Sequence, residues 1–180
     1  MPPVYVTTAD AVDRETAWLS TSGDGLPALL ADAGGAWDLV QAYQPRTPAQ
    51  RKNQIWVLRR TLRMTRDLDR FAMVRKMPKY GFRLRCWWTL SNGAGSAETD
   101  QRAFDAAIND LVTRINGFGP DGSPAQPGVA DKTHGGRFLS VAENPGDVDV
   151  AFTDPDTTLM PSAAFAAEVT YWADDPDFNM

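Results

Sequence analysis

Apolar and polar residues alternate most regularly from Phe82 to Leu90, where Phe82, Leu84, Cys86, Trp88 and Leu90 fall on one side and Arg83, Arg85, Trp87 and Thr89 on the other. A period of two is the signature of a strand with one face against a core, so this segment predicts a strand with its arginines outward. The same period runs from Gln54 to Thr65, placing Trp56, Leu58, Leu62 and Met64 on one face and Val57, Arg59, Thr61 and Arg63 on the other. Between these runs, Arg66 to Lys76 supports two readings: a strand from the alternation of Phe71, Met73 and Met77, or a helix from the spacing of Leu68, Phe71, Ala72 and Arg75. Trp37 to Tyr43 predicts a further strand, followed by an irregular loop, QPRTPAQRKN. Short strands are expected at Arg137–Ala142 and Val148–Phe152, and a last one at Ala163–Ala173 that buries Phe165, Val169 and Tyr171.

Helical patterns flank this block. Thr8 is a suitable N-cap, Asp10 and Asp13 sit in the first turns, and Ala11, Glu15 and Trp18 share a face. Leu26-Pro27 predicts a second, short helix with Leu29 and Leu30 buried and Gly34-Gly35 at its end. The strongest helix follows Ser96, with Glu98 and Asp100 at its start, a stripe of Phe104, Ile108, Leu111 and Ile115, Arg114 in the last turn and Gly117 as the stop. A Gly- and Pro-rich loop occupies residues 117–136. The order of elements predicts an α+β fold with a single, mostly antiparallel sheet and helices packed on one face. We expect one domain over residues 1–180, with a helical N-terminal segment (1–35) and an α/β core (36–180) carrying the long 117–136 loop.

Composition adds exclusions. Hydrophobic content of 43% is too high for a disordered chain, and no apolar run approaches the ~18 residues that span a bilayer. The opening MPPVYVTTADAVDRE lacks the basic flank and apolar stretch of a secretory signal, so none is expected. One cysteine, Cys86, leaves no internal disulfide.

Charge changes the picture more. Thirteen of the eighteen Lys and Arg residues lie between Gln44 and Arg85 with only Asp67 and Asp69 among them, a formal +11, while the rest of the chain carries −16. Such a bipolar molecule suits an acidic partner: nucleic acid, another protein, or a second copy of itself. Trp56 and Trp87 would be the stacking residues if that partner were single-stranded nucleic acid.

Catalytic equipment is sparse. Gly117-Phe118-Gly119-Pro120-Asp121-Gly122 fits GxGxxG, but a helix precedes it and a Pro-rich loop follows, the reverse of the strand–loop–helix that binds dinucleotides. Gly93-Ala94-Gly95 has the better context, but Glu98 and Asp100 at the helix start would repel phosphate. His134 is the only histidine, and any Ser-His-Asp or Cys-His device would need it as base. Zinc lacks ligands, and the aspartates at 147, 149, 154 and 156 lack the glycine and closing glutamate of a calcium loop. No cofactor, metal or enzymatic activity is expected.

In its order of elements the chain resembles the tail-terminator and neck proteins of long-tailed bacteriophages. The likeness is carried by the Trp37–Tyr43 segment, the strands QIWVLRR and YGFRLRCWWTL, the helix AETDQRAFDAAINDLVTRI and the strand AAEVTYWADD. The resemblance implies a non-enzymatic virion protein forming a ring, often sixfold, at the head-proximal end of the tail tube. There it would end tube polymerisation and join the tail to the head connector or stopper, with DNA passing through the lumen. The short Leu26–Leu30 helix and the 117–136 loop depart from a minimal terminator. On this view Arg46, Arg51, Lys52, Arg63, Arg66, Arg83 and Arg85 are the expected contacts to a neighbouring subunit or the tail tube. A nucleic-acid-binding module using the same 44–85 stretch is the alternative.

Overall fold

The computed structural model describes residues 8–23, 25–68, 74–90, 97–117, 132–143 and 148–175, with backbone alone for residue 8 and for 64–68 and 74–77. Six strands form one curled sheet: β1 (Leu39–Ala42), β2 (Gln54–Leu68), β3 (Val74–Thr89), β4 (Ser140–Val141), β5 (Val148–Thr153) and β6 (Ala163–Asp174). Two helices, α1 (Thr8–Ser20) and α2 (Ala97–Ile115), complete an α+β fold. Strand order is β1-β2-β3-β6, with β5 and β4 sharing the outer edge of β6. Among the described strands only the β1–β2 pair is parallel. Among the described residues no helix is long and apolar enough to cross a membrane.

The β3 alternation holds for four of its five inward residues: Phe82, Leu84, Cys86 and Trp88 are buried in the main core. Leu90 lies past the end of the strand and is exposed. Both helices pack on that face. From α1 come Ala11, Val12, Trp18 and Leu19, and from α2 the expected stripe of Phe104, Ile108, Leu111 and Ile115. Phe104 is an aromatic hub, with ring centroids 5.8 Å from Trp88, 5.8 Å from Phe165 and 6.4 Å from Trp37. Such contacts hold α2 in one rotational setting because each ring meets another edge-on, tilted or stacked.

Several expectations are corrected. The Leu26–Leu30 helix does not form. A single 3-10 turn at Ala31–Ala33 replaces it, and Leu30 bridges Trp37 instead. Of the two leucines expected on its buried side, Leu29 is buried and Leu30 only partly so. Gly34 takes a left-handed φ of 91°, and Gly35 serves a close crossing: a Cβ on Gly35 would lie 2.2 Å from the Leu29 carbonyl carbon. Helix is also excluded at both ends of the Arg66–Lys76 segment, which are strand paired Arg66 to Lys76 and Leu68 to Val74, whereas its centre lies outside the described residues.

The most consequential correction is in β2. Arg59 pairs with Phe82 and Thr61 with Gly81, so Arg60 is an extra residue, and the strand reverses its facing there. Trp56 and Leu58 therefore lie on the face away from the helices, whereas Leu62 shares the helix side with Val57 and Arg59. On the far face Trp56 and Trp87, with ring centroids 5.3 Å apart, form a second small core with Met160, Ala163 and Ala166. Gln54 sits at its floor, accepting from the Trp56 indole at 2.9 Å and donating to the Ala49 carbonyl at 2.9 Å. Around residues 54–57 and 86–88 the sheet is thus buried on both faces.

Candidate functional site

The other half of β2 and β3 is built differently. β1 accompanies β2 only from Gln54 to Val57, and β6 accompanies β3 only from Lys79 onward. The five residue pairs from Met64–Pro78 to Leu68–Val74 project as a two-stranded ribbon with no third strand among the described residues. At 15 and 16 residues these strands are about three times the usual length. Arg59, Arg60, Arg63 and Arg66 on β2, with Arg75, Lys76 and Lys79 on β3, fall along the ribbon and its root. Arg59, Arg60, Leu62 and Arg63 are all exposed.

The seven expected contact residues do not converge on one spot. Arg63 is exposed at the root of the ribbon, its guanidinium 4.8 Å from the Trp172 ring centroid. Arg66 lies farther along the same strand. Arg83 and Arg85 are half-buried on the open face of the sheet, where Arg85 pairs with Glu168 at 2.9 Å. That pair is about one-third exposed on each side and contributes at most about 1 kcal/mol. Arg46, Arg51 and Lys52 are exposed at the opposite end, around the β1–β2 connection, and Arg51 flanks a shallow depression with Thr89, Leu90 and Ser162. β2 spans on the order of 45 Å from end to end, so these are three separate basic zones. Trp56 is fully buried and Trp87 nearly so, which removes both from any role as base-stacking residues.

His134 is also fully buried. Its Nδ1 lies 2.8 Å from Glu15 Oε2 and its Nε2 3.0 Å from the Ile115 carbonyl oxygen. A carbonyl only accepts, so Nε2 donates to it and Nδ1 faces the Glu15 carboxylate. The Tyr171 hydroxyl donates to the other carboxylate oxygen of Glu15. Trp18 covers the imidazole, ring centroids 5.1 Å apart and nearly parallel. His134 adopts a left-handed backbone, φ 50°, followed by Gly135 at 68° and Gly136 at 75°. These contacts join α1, the end of α2, the 132–137 turn and β6. The geometry is that of a structural fastener closed to solvent. Sequence reasoning noticed both a glutamate on the apolar face of α1 and a lone histidine but did not pair them, though an acid on a helix's apolar stripe is a signal of a buried partner.

Burial pushes the Tyr171 phenol well above its ordinary value, and the charge and hydrogen bond of Glu15 add to the effect. The neutral phenol is therefore the form the fold favours. Unfolded tyrosines ionise near pH 10, so this contribution is whole below about pH 10 and is lost as pH rises toward the folded value. Urea midpoints should fall from about pH 10 upward, and Tyr171→Phe should make the fall shallower. Tyr80, raised by burial and by Asp175, would leave a residual slope. Equal slopes in the two proteins would refute this account.

Cys86 has no catalytic setting. It is buried in the main core, and burial first, then Glu168, push its thiol far above the ordinary range. Among the described residues no three metal-ligating side chains gather. Of the two glycine motifs, residues 118–122 and 93–95 lie outside the described residues.

A different feature lies between α2 and the β5–β6 pair: a groove of about 500 Å³, lined by Phe104, Phe152 and Phe165 with Asp105 and Asp154 at its rim. Phe152 is 61% exposed, the most exposed large apolar side chain described. The chain matches no protein-family model and no curated protein sequence.

Proposed function

We propose that this chain is a non-enzymatic structural protein of the virion of a long-tailed bacteriophage, assembling as a ring, sixfold on the family resemblance, at the head-proximal end of the tail. In this role it ends tail-tube polymerisation and meets the head connector. The observation that carries the reading is the β2–β3 ribbon. A two-stranded ribbon is marginal in water without a third surface, and this one carries seven basic residues on its strands and root. Long exposed edges are normally shortened or covered, so an extended one marks a docking element. The −16 carried by the remainder of the chain supplies a counter-surface on a second copy. The burial of the sole histidine and of the sole cysteine supports a structural role.

Light scattering and negative-stain microscopy of the purified protein test this reading. The expected result is a closed ring with a central hole at low salt, weakening as salt screens the contacts. A monomer at high concentration and low salt that also fails to associate with tail-tube protein would overturn it. Steeply salt-dependent DNA binding by that monomer would instead favour the nucleic-acid-binding reading.

A further inference from the structure

We infer that the aromatic groove between α2 and β5–β6 is the seat for the Arg59–Arg63 segment of a second copy's β2. This rests on the self-assembly reading and names the two surfaces that meet. The groove has an apolar floor and an acidic rim. Phe104 is buried beneath it, with Phe165 stacked at 5.8 Å and Phe152 edge-on at 6.0 Å. Asp105 and Asp154 are exposed at its margins, and no basic side chain lines it among the described residues. Its outer wall is β5, an edge strand whose described partner is β6 on one side only.

The β2 segment is the complement in each respect. Leu62 is 46% exposed on the helix side of the sheet, between Arg59–Arg60 and Arg63. Its backbone edge beyond Val57 has no described partner strand. Leu62 set among Phe104, Phe152 and Phe165, with Arg59 and Arg60 facing Asp105 and Asp154, would cover exposed apolar surface on both sides and match charge across the contact.

Both surfaces cannot meet within one chain. Leu62 pairs with Tyr80, which pairs with Ala173, whereas Phe152 pairs with Ala167. The two are thus three strand spacings apart across the sheet and six residues apart along it, on the order of 25 Å. A contact between two different patches on identical chains is heterologous, so each copy offers one seat and one insert, and repetition closes a ring when the rotation permits.

Two measurements decide this. Mixing Leu62→Cys protein with Phe152→Cys protein under mild oxidation should give a covalent dimer containing one of each. Second, Asp105→Lys/Asp154→Lys should weaken association by roughly tenfold or more, and Arg59→Glu/Arg60→Glu in the partner should restore it. Circular dichroism checks folding, and all six positions are exposed. If the unmodified protein assembles while the cysteines fail to cross-link and the charge reversal changes nothing, the seat is wrong and the ring reading stands. If the unmodified protein does not assemble, both fall together. A cross-link formed only with copies of the same variant overturns the pairing.

Discussion

Replacing Glu15 with alanine is expected to remove about 3–5 kcal/mol of folding stability, as breaking a buried charged network does. The loss comes from the groups left behind. His134 and Tyr171 are 0% and 2% exposed, so neither can turn to water when its carboxylate partner disappears, and each then carries an unmet desolvation cost. The left-handed backbone at His134 loses one of the two ring hydrogen bonds that hold it. Glu15→Gln should cost less, about 1–2 kcal/mol, because an amide still accepts from Tyr171 and still reaches the imidazole. Urea unfolding followed by tryptophan fluorescence is the measurement, with Trp18 stacked on the imidazole as a local reporter. A Glu15→Ala loss below about 1 kcal/mol would show that the cluster does not fasten the fold.

Arg114→Ala should be nearly as severe, at about 3–4 kcal/mol. This arginine is 1% exposed. It donates to the Pro27 carbonyl at 2.9 Å, to the Trp18 carbonyl at 2.7 Å and to Thr21 Oγ1 at 2.9 Å. Its guanidinium also lies 4.7 Å from the Trp18 ring centroid. One side chain thus caps the end of α1 and pins the 27–29 segment to the last turn of α2. Arg114→Lys keeps the charge but not the fork, and is expected to cost about 2 kcal/mol because one ammonium cannot serve those separated oxygens with the same geometry. A lysine variant of unchanged stability would show that charge alone suffices. Folded Arg114→Lys protein should still form the proposed ring, since the residue is buried and lines neither proposed contact surface.

The legible parts of the fold share a cause. The β3 run from Phe82 to Trp88, the α2 stripe and the β6 run around Val169 and Tyr171 each bury one face against a single core, so period and burial agree. Trp56 and Trp87 were misplaced because local alternation assigns one core-facing side to a strand, and around residues 54–57 and 86–88 both sides are covered. The bulge at Arg60 has no local signature, since an inserted residue is visible only against the partner strand that lacks it. The expected helix at Leu26–Leu30 failed because the Leu29 and Leu30 backbone pairs with Trp37 and its neighbours, a tertiary contact that propensity does not see.

The candidate site divides in the same way. The clustering of basic residues between Gln44 and Arg85 was plain in the sequence, as were the arginines along the ribbon. Their division into three zones was not, because a strand of 15 residues carries nearby sequence positions far apart. Glu15 is 119 residues from His134 and 156 from Tyr171, and the three meet only through folding.

By itself the sequence determined the α+β class, the strand and helix that bear the main core, and the bipolar charge, because these depend on local period and composition. Only the tertiary structure decided which sheet face each described β2 residue takes, that the one histidine is a buried fastener, and that an exposed basic edge and an acid-rimmed aromatic groove lie three strands apart in one molecule. Those outcomes depend on pairings between distant segments, whose register and burial no single segment encodes.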